Sequence, residues 1–345
     1  METKIDSIKN EVLEKEILCK LNDLTKPQGS LGRLEEFVLQ YCLCRSNANA
    51  SIRKMNMFTF AGDHGITNEG IAPYPKEVTQ QMVLNMVAGG AAISVLCKNA
   101  GIDYAVVDMG VDVECTVQHN NFINCKVARG TANFHKGPAM SLSQAEQALE
   151  AGQKLAHECE SDLFGIGEMG IGNSSSASAL YSLLLDIDPE KTVGEGTGAT
   201  GDLLQHKIAI IREAVLLHKK SWDGTGFDAL CRVGGFEIAG MIGFIFGAAQ
   251  KRIPIVVDGF ISSAAALVAM EMNPLVQKYL FFSHQSSEKF HRDFLDTLNI
   301  RPILNLDMRL GEGTGSALSM QIIAQALNCY NQMATFSSAH VSEAS

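Results

Sequence analysis

The sequence lacks the features of a zinc-binding, disulfide-linked or nucleic-acid-binding protein. Its nine cysteines never form a Cys-x-x-Cys pair, so we expect reduced thiols and neither a zinc site nor a secretory disulfide framework. Lys and Arg number 28 against 38 Asp and Glu, and they form no basic cluster that could bind a phosphate backbone. These absences favour a small-molecule ligand and predict no nucleic-acid partner.

Long apolar runs are also missing. A membrane-spanning helix needs about 20 apolar residues, whereas the apolar stretch 238–249 is short and Gly-rich and predicts a buried helix. The first 21 residues alternate charges with apolar residues at helical spacing, without the apolar centre of a signal peptide. We therefore expect no membrane partner and a cytoplasmic location.

Two groups of catalytic motifs are absent as well. No Gly-x-Ser-x-Gly turn accompanies His284 and His291, which argues against a serine hydrolase. His64 has no His-x-x-x-His or acid-rich partner motif, so a hydrogen-bonded histidine is a simpler interpretation than a metal ligand. We expect no metal and no resident cofactor.

What the sequence does contain is a repeated strand-and-helix pattern. Its 345 residues, 46% of them hydrophobic and 19% charged, suffice for one large domain or a domain with an appendage. Apolar runs rich in β-formers each end at glycine or a polar cluster and precede a helical segment. They lie at 57–60, 104–110, 162–170, 253–259, 279–287 and 302–308. This pattern predicts an α/β fold with a mostly parallel sheet covered by helices.

Both ends of the chain read as helices. Residues 1–48 predict two helices around the turn-rich segment LTKPQGSLG, and about the last 25 residues predict another helix with a polar tail. We expect 1–48 plus about 321–345 to form a small helical domain beside an α/β catalytic domain, 49–320.

Polar side chains follow the predicted strands. Ligands of parallel sheets bind beyond the carboxyl ends of the strands, where the loops converge. We therefore expect the polar residues at these ends to meet at one site; they are Asp63, His64, Asp108, Glu168, Asp258, Ser283, His284, Asp307, Arg309 and Glu312.

Two glycine-rich loops predict an anion site. In residues 165–180 a strand leads through glycines into a Ser/Ala-rich helix, whose free N–H groups suit a phosphate or carboxylate. Tight packing turns are the structural alternative. Residues 165–170 also match Gly-x-Gly-x-x-Gly, with Asp186 about 20 residues on, but Glu168 would face the pyrophosphate of a dinucleotide. In the second loop, 194–201, Lys207 downstream offers a point charge for phosphate, although this loop alone would more simply be a surface turn.

Eight motifs together resemble one family over nearly the whole chain, the nicotinate-nucleotide:dimethylbenzimidazole phosphoribosyltransferases. They are LTKPQGSLGRLE (24–35), FAGDHGI (60–66), PYPKEVTQQMV (73–83), GGAAISVL (89–96), GEMGIGNSSSASAL (167–180), VGGFEIAGM (233–241), VDGFISSAAAL (257–267) and LDMRLGEGTGSAL (306–318). The resemblance implies a Rossmann-like sheet, a small helical domain formed by both termini, and a homodimer. It also implies transfer of phosphoribose from nicotinate mononucleotide to 5,6-dimethylbenzimidazole or a related base, in assembly of the cobalamin nucleotide loop.

The resemblance also implies roles for particular residues. Glu312 would be the catalytic base and Glu168 a second carboxylate of the same pocket. Backbone amides of Gly170, Gly172 and Asn173, with the Lys207 amine, would hold the phosphate. The remaining substrate contacts would come from Ala72, Gln80, Asp258 and Leu310.

The chemistry of the reaction fits a carboxylate at position 312. One nitrogen of the incoming base attacks the anomeric carbon while the other loses a proton, which a nearby carboxylate can accept. From the residues alone, Glu312 could equally be a capping acid ahead of the helix that follows it.

The chain departs from the family pattern at three positions. Ala72 replaces a common serine, and Glu195 and Gln285 replace common arginines. Two other classes of function remain as alternatives. An NAD-binding oxidoreductase would depend on residues 165–170, and a noncatalytic nucleotide-binding protein would have no use for Glu312.

Overall fold

The core of the protein is one six-stranded parallel sheet. A computed structural model describes residues 4–115 and 117–342, and in this part of the chain the strand order is β3-β2-β1-β4-β5-β6. This is the strand order of the Rossmann fold, so the predicted Rossmann-like sheet is confirmed. The strands are β1 Met55–Gly62, β2 Asp103–Gly110, β3 Phe122–Asn124, β4 Leu163–Met169, β5 Ile255–Val257 and β6 Leu280–Phe282.

Helices cover both faces of this sheet. They are α1 Glu11–Asp23, α2 Arg33–Arg45, α3 Glu77–Val87, α4 Ala92–Ala100, α5 Leu142–Glu158, α6 Asn173–Leu185, α7 Pro189–Thr192, α8 Gly201–Lys219, α9 Gly226–Val233, α10 Phe236–Gln250, α11 Phe260–Met272, α12 His291–Thr297, α13 Thr314–Gln332 and α14 Phe336–Ala339. Two 3₁₀ helices, Gly65–Glu69 and Pro274–Tyr279, complete the described regular structure.

Five of the six predicted apolar runs contain strands, and the prediction for 302–308 is wrong. That run contains no strand: Leu304 forms an isolated bridge to His284, and the backbone N–H of Ile303 donates to the carbonyl of Phe282 (3.0 Å). The extended backbone cannot continue because Asp307 turns it, with a φ of +54°. The sheet gains its sixth strand from β3 instead, a three-residue edge strand too short to give a periodic pattern.

Alternate residues of the strands face two separate apolar cores. Phe58 of β1 packs with helices such as α5, α6, α10 and α11 on one face. Its neighbour Met57 faces the other core, which contains residues of α1, α2, α3, α4 and α13. Since side chains alternate along a strand, a sheet buried on both faces needs apolar residues throughout, as the continuous runs indicated.

The terminal helices pack against each other and against the sheet. The hydroxyl of Tyr330 in α13 donates to the carbonyl of Ala48 (2.9 Å), and Leu24 pairs with Thr335. Helix α13 crosses the expected boundary at residue 320 without a break. The division into a small helical domain and a catalytic domain stays a prediction; of its bounds, residues 1–3 and 343–345 lie outside the described residues.

One apolar stretch, Glu77–Ala100, has the length and mean hydropathy (1.4) of a membrane span. It is divided into α3 and α4 near Gly89, whose φ of +84° ends the helical path. Helices of 11 and 9 residues are each far shorter than the roughly 30 Å of a bilayer core.

Helix α10 is the buried helix predicted for 238–249, and glycines let it touch α5. A Cβ atom at Gly243 would lie 1.9 Å from the carbonyl oxygen of Leu149, and one at Gly152 would lie 1.9 Å from that of Gly240. The two backbones are therefore in direct contact.

We expect Gly243→Ala to lower the free energy of unfolding by about 1–3 kcal/mol, because the added methyl forces two packed helices apart. Urea denaturation of the variant and the parent measures the change. Gly137→Ala is the control, since nothing lies within 4 Å of a Cβ there. Equal stability of all three proteins would contradict the direct contact between the helices.

Candidate active site

A cavity of about 550 Å³ lies beyond the carboxyl ends of β4 to β6. In the sheet β4 lies beside β1, and the order of the strands reverses between these two. The carboxyl ends of the strands at such a reversal are the usual ligand position in these folds. Seven of the predicted site residues line it: Ala72, Glu168, Gly170, Gly172, Asn173, Lys207 and Leu310.

One end of the cavity is built to receive an anion. Helix α6 begins there after Gly172, whose φ of +97° turns the chain so that the free N–H groups face the opening. The Lys207 ammonium lies 3.0 Å from the Ser174 hydroxyl and 3.1 Å from the carbonyl of Gly194. Burial lowers the pKa of Lys207 to about 8. This combination of helix N-terminus and buried lysine suits a phosphate.

The wall beside the anion end carries further charges. Glu195, Glu288 and Arg309 line the cavity there. Burial raises the pKa of Glu288, and the charge of the nearby Lys207 reduces this rise. Of the two departures from the family pattern near this end, only Glu195 lines the cavity; the backbone N–H of Gln285 instead donates to the Leu304 carbonyl (2.9 Å).

Glu168 is a buried carboxyl at the end of β4. The Asn173 side-chain amide donates to it, and the backbone of Gly311 covers it so closely that a Cβ there would lie 2.5 Å from its Oε1. Burial, reinforced by the nearby Asp258, raises the pKa of Glu168 to about 8. At neutral pH this carboxyl is therefore largely protonated and can donate a hydrogen bond.

Glu312 is buried and is not among the residues that line the cavity, although its neighbours Leu310 and Gly311 are. Its Oε2 accepts the N–H of Ile93 in the first turn of α4 (3.3 Å), and its carbonyl accepts the Thr59 hydroxyl (2.7 Å). Its backbone has a φ of +61°, which directs the side chain toward α4. Burial raises the pKa of Glu312, whereas the Ile93 N–H favours its anionic form.

Asp258, which is also buried and not among the cavity-lining residues, caps the helix that follows Glu312. Its two carboxyl oxygens accept the N–H groups of Gly313 and Ser316 at the start of α13, each at 3.1 Å. The capping role considered for Glu312 at this helix thus belongs to Asp258, because its position after β5 brings it to the helix start.

Gln80 is not brought to the cavity wall. It lies half-buried on α3, and the neighbouring Thr79 hydroxyl accepts the N–H of Ile171 (3.0 Å). Pro73 and Tyr74, from the same motif, line the cavity instead. A contact of Gln80 with substrate stays a prediction.

His64 has the hydrogen-bonded role that its sequence context favoured. Its Nε2 lies 2.7 Å from Glu237 Oε1 and its Nδ1 lies 2.9 Å from the Ser176 hydroxyl, so it joins β1 to α10 and α6. Among residues 4–115 and 117–342, no cluster of three or more His, Cys, Asp or Glu has metal-binding geometry.

Sequence reasoning missed several residues of the cavity wall. Tyr74 and Ser174 stood inside recognised motifs, but nothing local marked their side chains as cavity-facing. Other residues of this kind are Gly259, Phe260, Ser286 and Glu288. All of these except Tyr74 lie within six residues of the end of β4, β5 or β6, a position that could have marked them as candidates; Tyr74 lies 12 residues after β1 and has no such signal.

The fold and the cavity define a Rossmann-like protein whose cavity has a lining that suits an anionic nucleotide or sugar phosphate. A family model described as "Phosphoribosyltransferase" matches residues 7–341. The chain belongs to the nicotinate-nucleotide–dimethylbenzimidazole phosphoribosyltransferase family.

Curated relatives carry that family name. The protein of Chlorobaculum parvum is 50% identical over 329 residues, 94% of this chain and 93% of its own length. That of Chlorobium chlorochromatii is 49% identical over 348 residues, covering 99% and 98%. The crystal structure of CobT from Thermus thermophilus superposes with a TM-score of 0.91 at 37% identity, covering 96% of this chain and 100% of that one.

Because Lys207 is buried and has a lowered pKa, we expect anion binding to depend on pH. Lys207 loses its proton as the pH rises through about 8, so affinity for sulfate, whose own charge is constant, should fall by up to about tenfold per pH unit above that value. Calorimetric titration between pH 6.5 and 9.5 measures this.

In Lys207→Met sulfate binding should be weak at every pH. Lys219→Met, at the exposed end of the same helix, is the control and should behave as the parent. A pH-independent affinity in the parent would place the anion away from Lys207.

Proposed function

We propose that the protein transfers the 5-phosphoribosyl group of nicotinate mononucleotide to 5,6-dimethylbenzimidazole or a related base, releasing nicotinate. One observation carries this proposal: a single cavity is lined both by the buried Lys207 beside the start of α6 and by largely apolar side chains, among them Ala72, Pro73, Tyr74 and Leu310. A mononucleotide needs the anion-binding groups and a flat aromatic acceptor needs the apolar side chains. The relatives' names support the choice of substrates.

In the proposed reaction a ring nitrogen of the acceptor attacks the anomeric carbon of the donor. The bond from that carbon to nicotinate breaks, and the electron pair leaves with the pyridine nitrogen. Attack from the opposite face converts the β-nucleotide to an α-product. The second ring nitrogen of the acceptor must then lose its proton.

The two carboxyl groups near the cavity fit different roles in this step. Glu312 accepts an N–H bond that favours its anion, so it suits the proton acceptor. Glu168, with a pKa of about 8, is mostly neutral at pH 7 and suits a hydrogen-bond donor. Pairs of carboxyls with divergent environments are typical of acid–base sites. In this proposal the Glu312 side chain exchanges the Ile93 N–H for the N–H of the acceptor.

The position of Asp186 argues against the alternative that the protein binds a dinucleotide. Asp186 follows α6 and pairs with Lys219, at the far end of a 13-residue helix about 20 Å long. It lies too far from residues 165–170 to bind the ribose of a dinucleotide held there.

Mass spectrometry of the reaction products tests the proposed function. The protein, incubated with nicotinate mononucleotide and dimethylbenzimidazole, should form nicotinate and α-ribazole 5′-phosphate in equal amounts. Absence of both products, with folded protein and intact substrates, would overturn the proposal. The homodimer and the cytoplasmic location implied earlier stay predictions.

We expect Glu312→Gln to lower kcat by roughly 10²–10⁴-fold, the usual contribution of a general base. Glutamine keeps an oxygen that can accept the Ile93 N–H, so the fold should persist. Glu168→Gln is the matched control, because glutamine resembles a neutral carboxyl; it should keep kcat at pH 7 within about tenfold. Steady-state kinetics measure both. The reverse order of effects would assign the base to Glu168.

We expect the residue at position 72 to influence which acceptor base the protein prefers. The alanine methyl offers only apolar contact, whereas a hydroxyl in Ala72→Ser could bind a polar edge of the base. One neutral hydrogen bond contributes about 0.5–1.5 kcal/mol, or roughly a 2- to 12-fold change in preference. Competition between dimethylbenzimidazole and adenine in one reaction measures it. An unchanged product ratio would mean that position 72 does not contact the base.

A further inference from the structure

His284 is a cavity residue without a role in the reaction as proposed so far. It follows β6, lines the cavity, and is only 1% exposed. Its Nδ1 lies 2.9 Å from the Ser283 hydroxyl and 3.7 Å from Asp258 Oδ1. Its Nε2 makes no hydrogen bond with the parts of the chain that the structure describes.

Two glycines from other segments make room for this imidazole. A Cβ at Gly315, in the first turn of α13, would lie 2.0 Å from Nδ1 of His284. A Cβ at Gly259, on the cavity wall, would lie 3.1 Å from its Cε1 and 3.4 Å from its Nε2. The ring is therefore held between three segments with the Nε2 edge beside the cavity wall.

The surrounding hydrogen bonds decide which ring nitrogen carries the proton. The Ser283 hydroxyl donates its only hydrogen to the carbonyl of Asp258 (2.8 Å), so toward His284 it can act only as an acceptor. Nδ1 of His284 must then be the donor in that pair, and the Asp258 carboxyl favours the same arrangement. In the neutral ring Nε2 is left as an acceptor.

An acceptor in this position selects one part of the donor substrate. The phosphate and the carboxylate of nicotinate mononucleotide are anions at neutral pH and have no hydrogen to donate. Only the two ribose hydroxyls are donors. If the anion end binds the phosphate and the apolar side chains bind the acceptor base, the ribose contacts other residues that line the cavity, and His284 is one of these.

We propose that Nε2 of His284 accepts a hydrogen bond from a ribose hydroxyl of the phosphoribosyl donor, with Ser283 and Asp258 as the residues that position the ring. This proposal rests on the proposed function, since it takes the donor to be nicotinate mononucleotide. Its consequence is that the site recognises the sugar through the imidazole Nε2 of His284.

Binding measurements with deoxy analogues test the proposal without requiring turnover. Calorimetry compares nicotinate mononucleotide with its 2′-deoxy and 3′-deoxy forms, in the parent and in His284→Phe. The parent should bind one deoxy form about 2- to 12-fold more weakly, the range for one neutral hydrogen bond. In His284→Phe, binding of nicotinate mononucleotide itself should weaken by a similar factor. The difference in affinity between it and that deoxy form should then disappear.

Ser283→Ala provides a second variant that keeps the imidazole. It removes the acceptor for Nδ1, so it should weaken binding of the full substrate and leave the chosen deoxy form unaffected. Circular dichroism checks the fold of both variants. If His284→Phe does not fold, the binding data for Ser283→Ala alone test the role of His284.

Equal weakening of all three ligands, or no change, would overturn the role of His284. If the parent forms α-ribazole 5′-phosphate but shows no discrimination, only the His284 proposal falls. If the parent neither binds nor converts nicotinate mononucleotide, the proposed function falls and this proposal falls with it.

Discussion

The buried carboxyl group of Asp258 is the contact on which the geometry of the site depends. It follows β5 and accepts the N–H groups of Gly313 and Ser316, so it fixes both the start of α13 and the loop 309–312 before it. The same carboxyl lies 3.7 Å from the imidazole of His284. One buried acid thus joins two strand ends to the loop that closes the cavity. Replacing such a group leaves backbone donors unpaired, which costs more than the hydrogen bonds themselves contribute.

Burial at one edge of the sheet also raises the pKa of three acids, Glu168, Asp258 and Glu312. Asp258 contributes to the raised pKa of Glu168, which has only the Asn173 amide to favour its charged form. Glu312 receives a backbone N–H from the start of α4 instead. Glu168 is therefore the carboxyl whose pKa burial raises to about 8, whereas the backbone N–H partly opposes the effect of burial at Glu312. A neutral Glu168 suits transfer of an already anionic sugar phosphate, because a full charge there would repel the substrate.

The sequence predicted what depends on local pattern. Strands β1, β2, β4, β5 and β6 are long or apolar enough to be seen, and the glycines after β4 marked the anion end. Two features could not be predicted, because each depends on contacts between distant segments. The side chain of Glu312 points to α4 through a positive φ and an amide 219 positions away, and Asp258 caps a helix that begins 56 residues later. The run 302–308 failed as a strand because a single turn at Asp307 outweighs its apolar composition.

A crystal structure with nicotinate mononucleotide and dimethylbenzimidazole bound to the Glu312→Gln variant tests the central claim most directly, that the loops at this edge of the sheet form one site for phosphoribosyl transfer. We expect the phosphate at the start of α6 beside Lys207 and the benzimidazole ring between Ala72 and Leu310. A ring nitrogen of the base should lie within hydrogen-bonding distance of the side chain at position 312. A phosphate bound elsewhere, or a base out of reach of position 312, would contradict it.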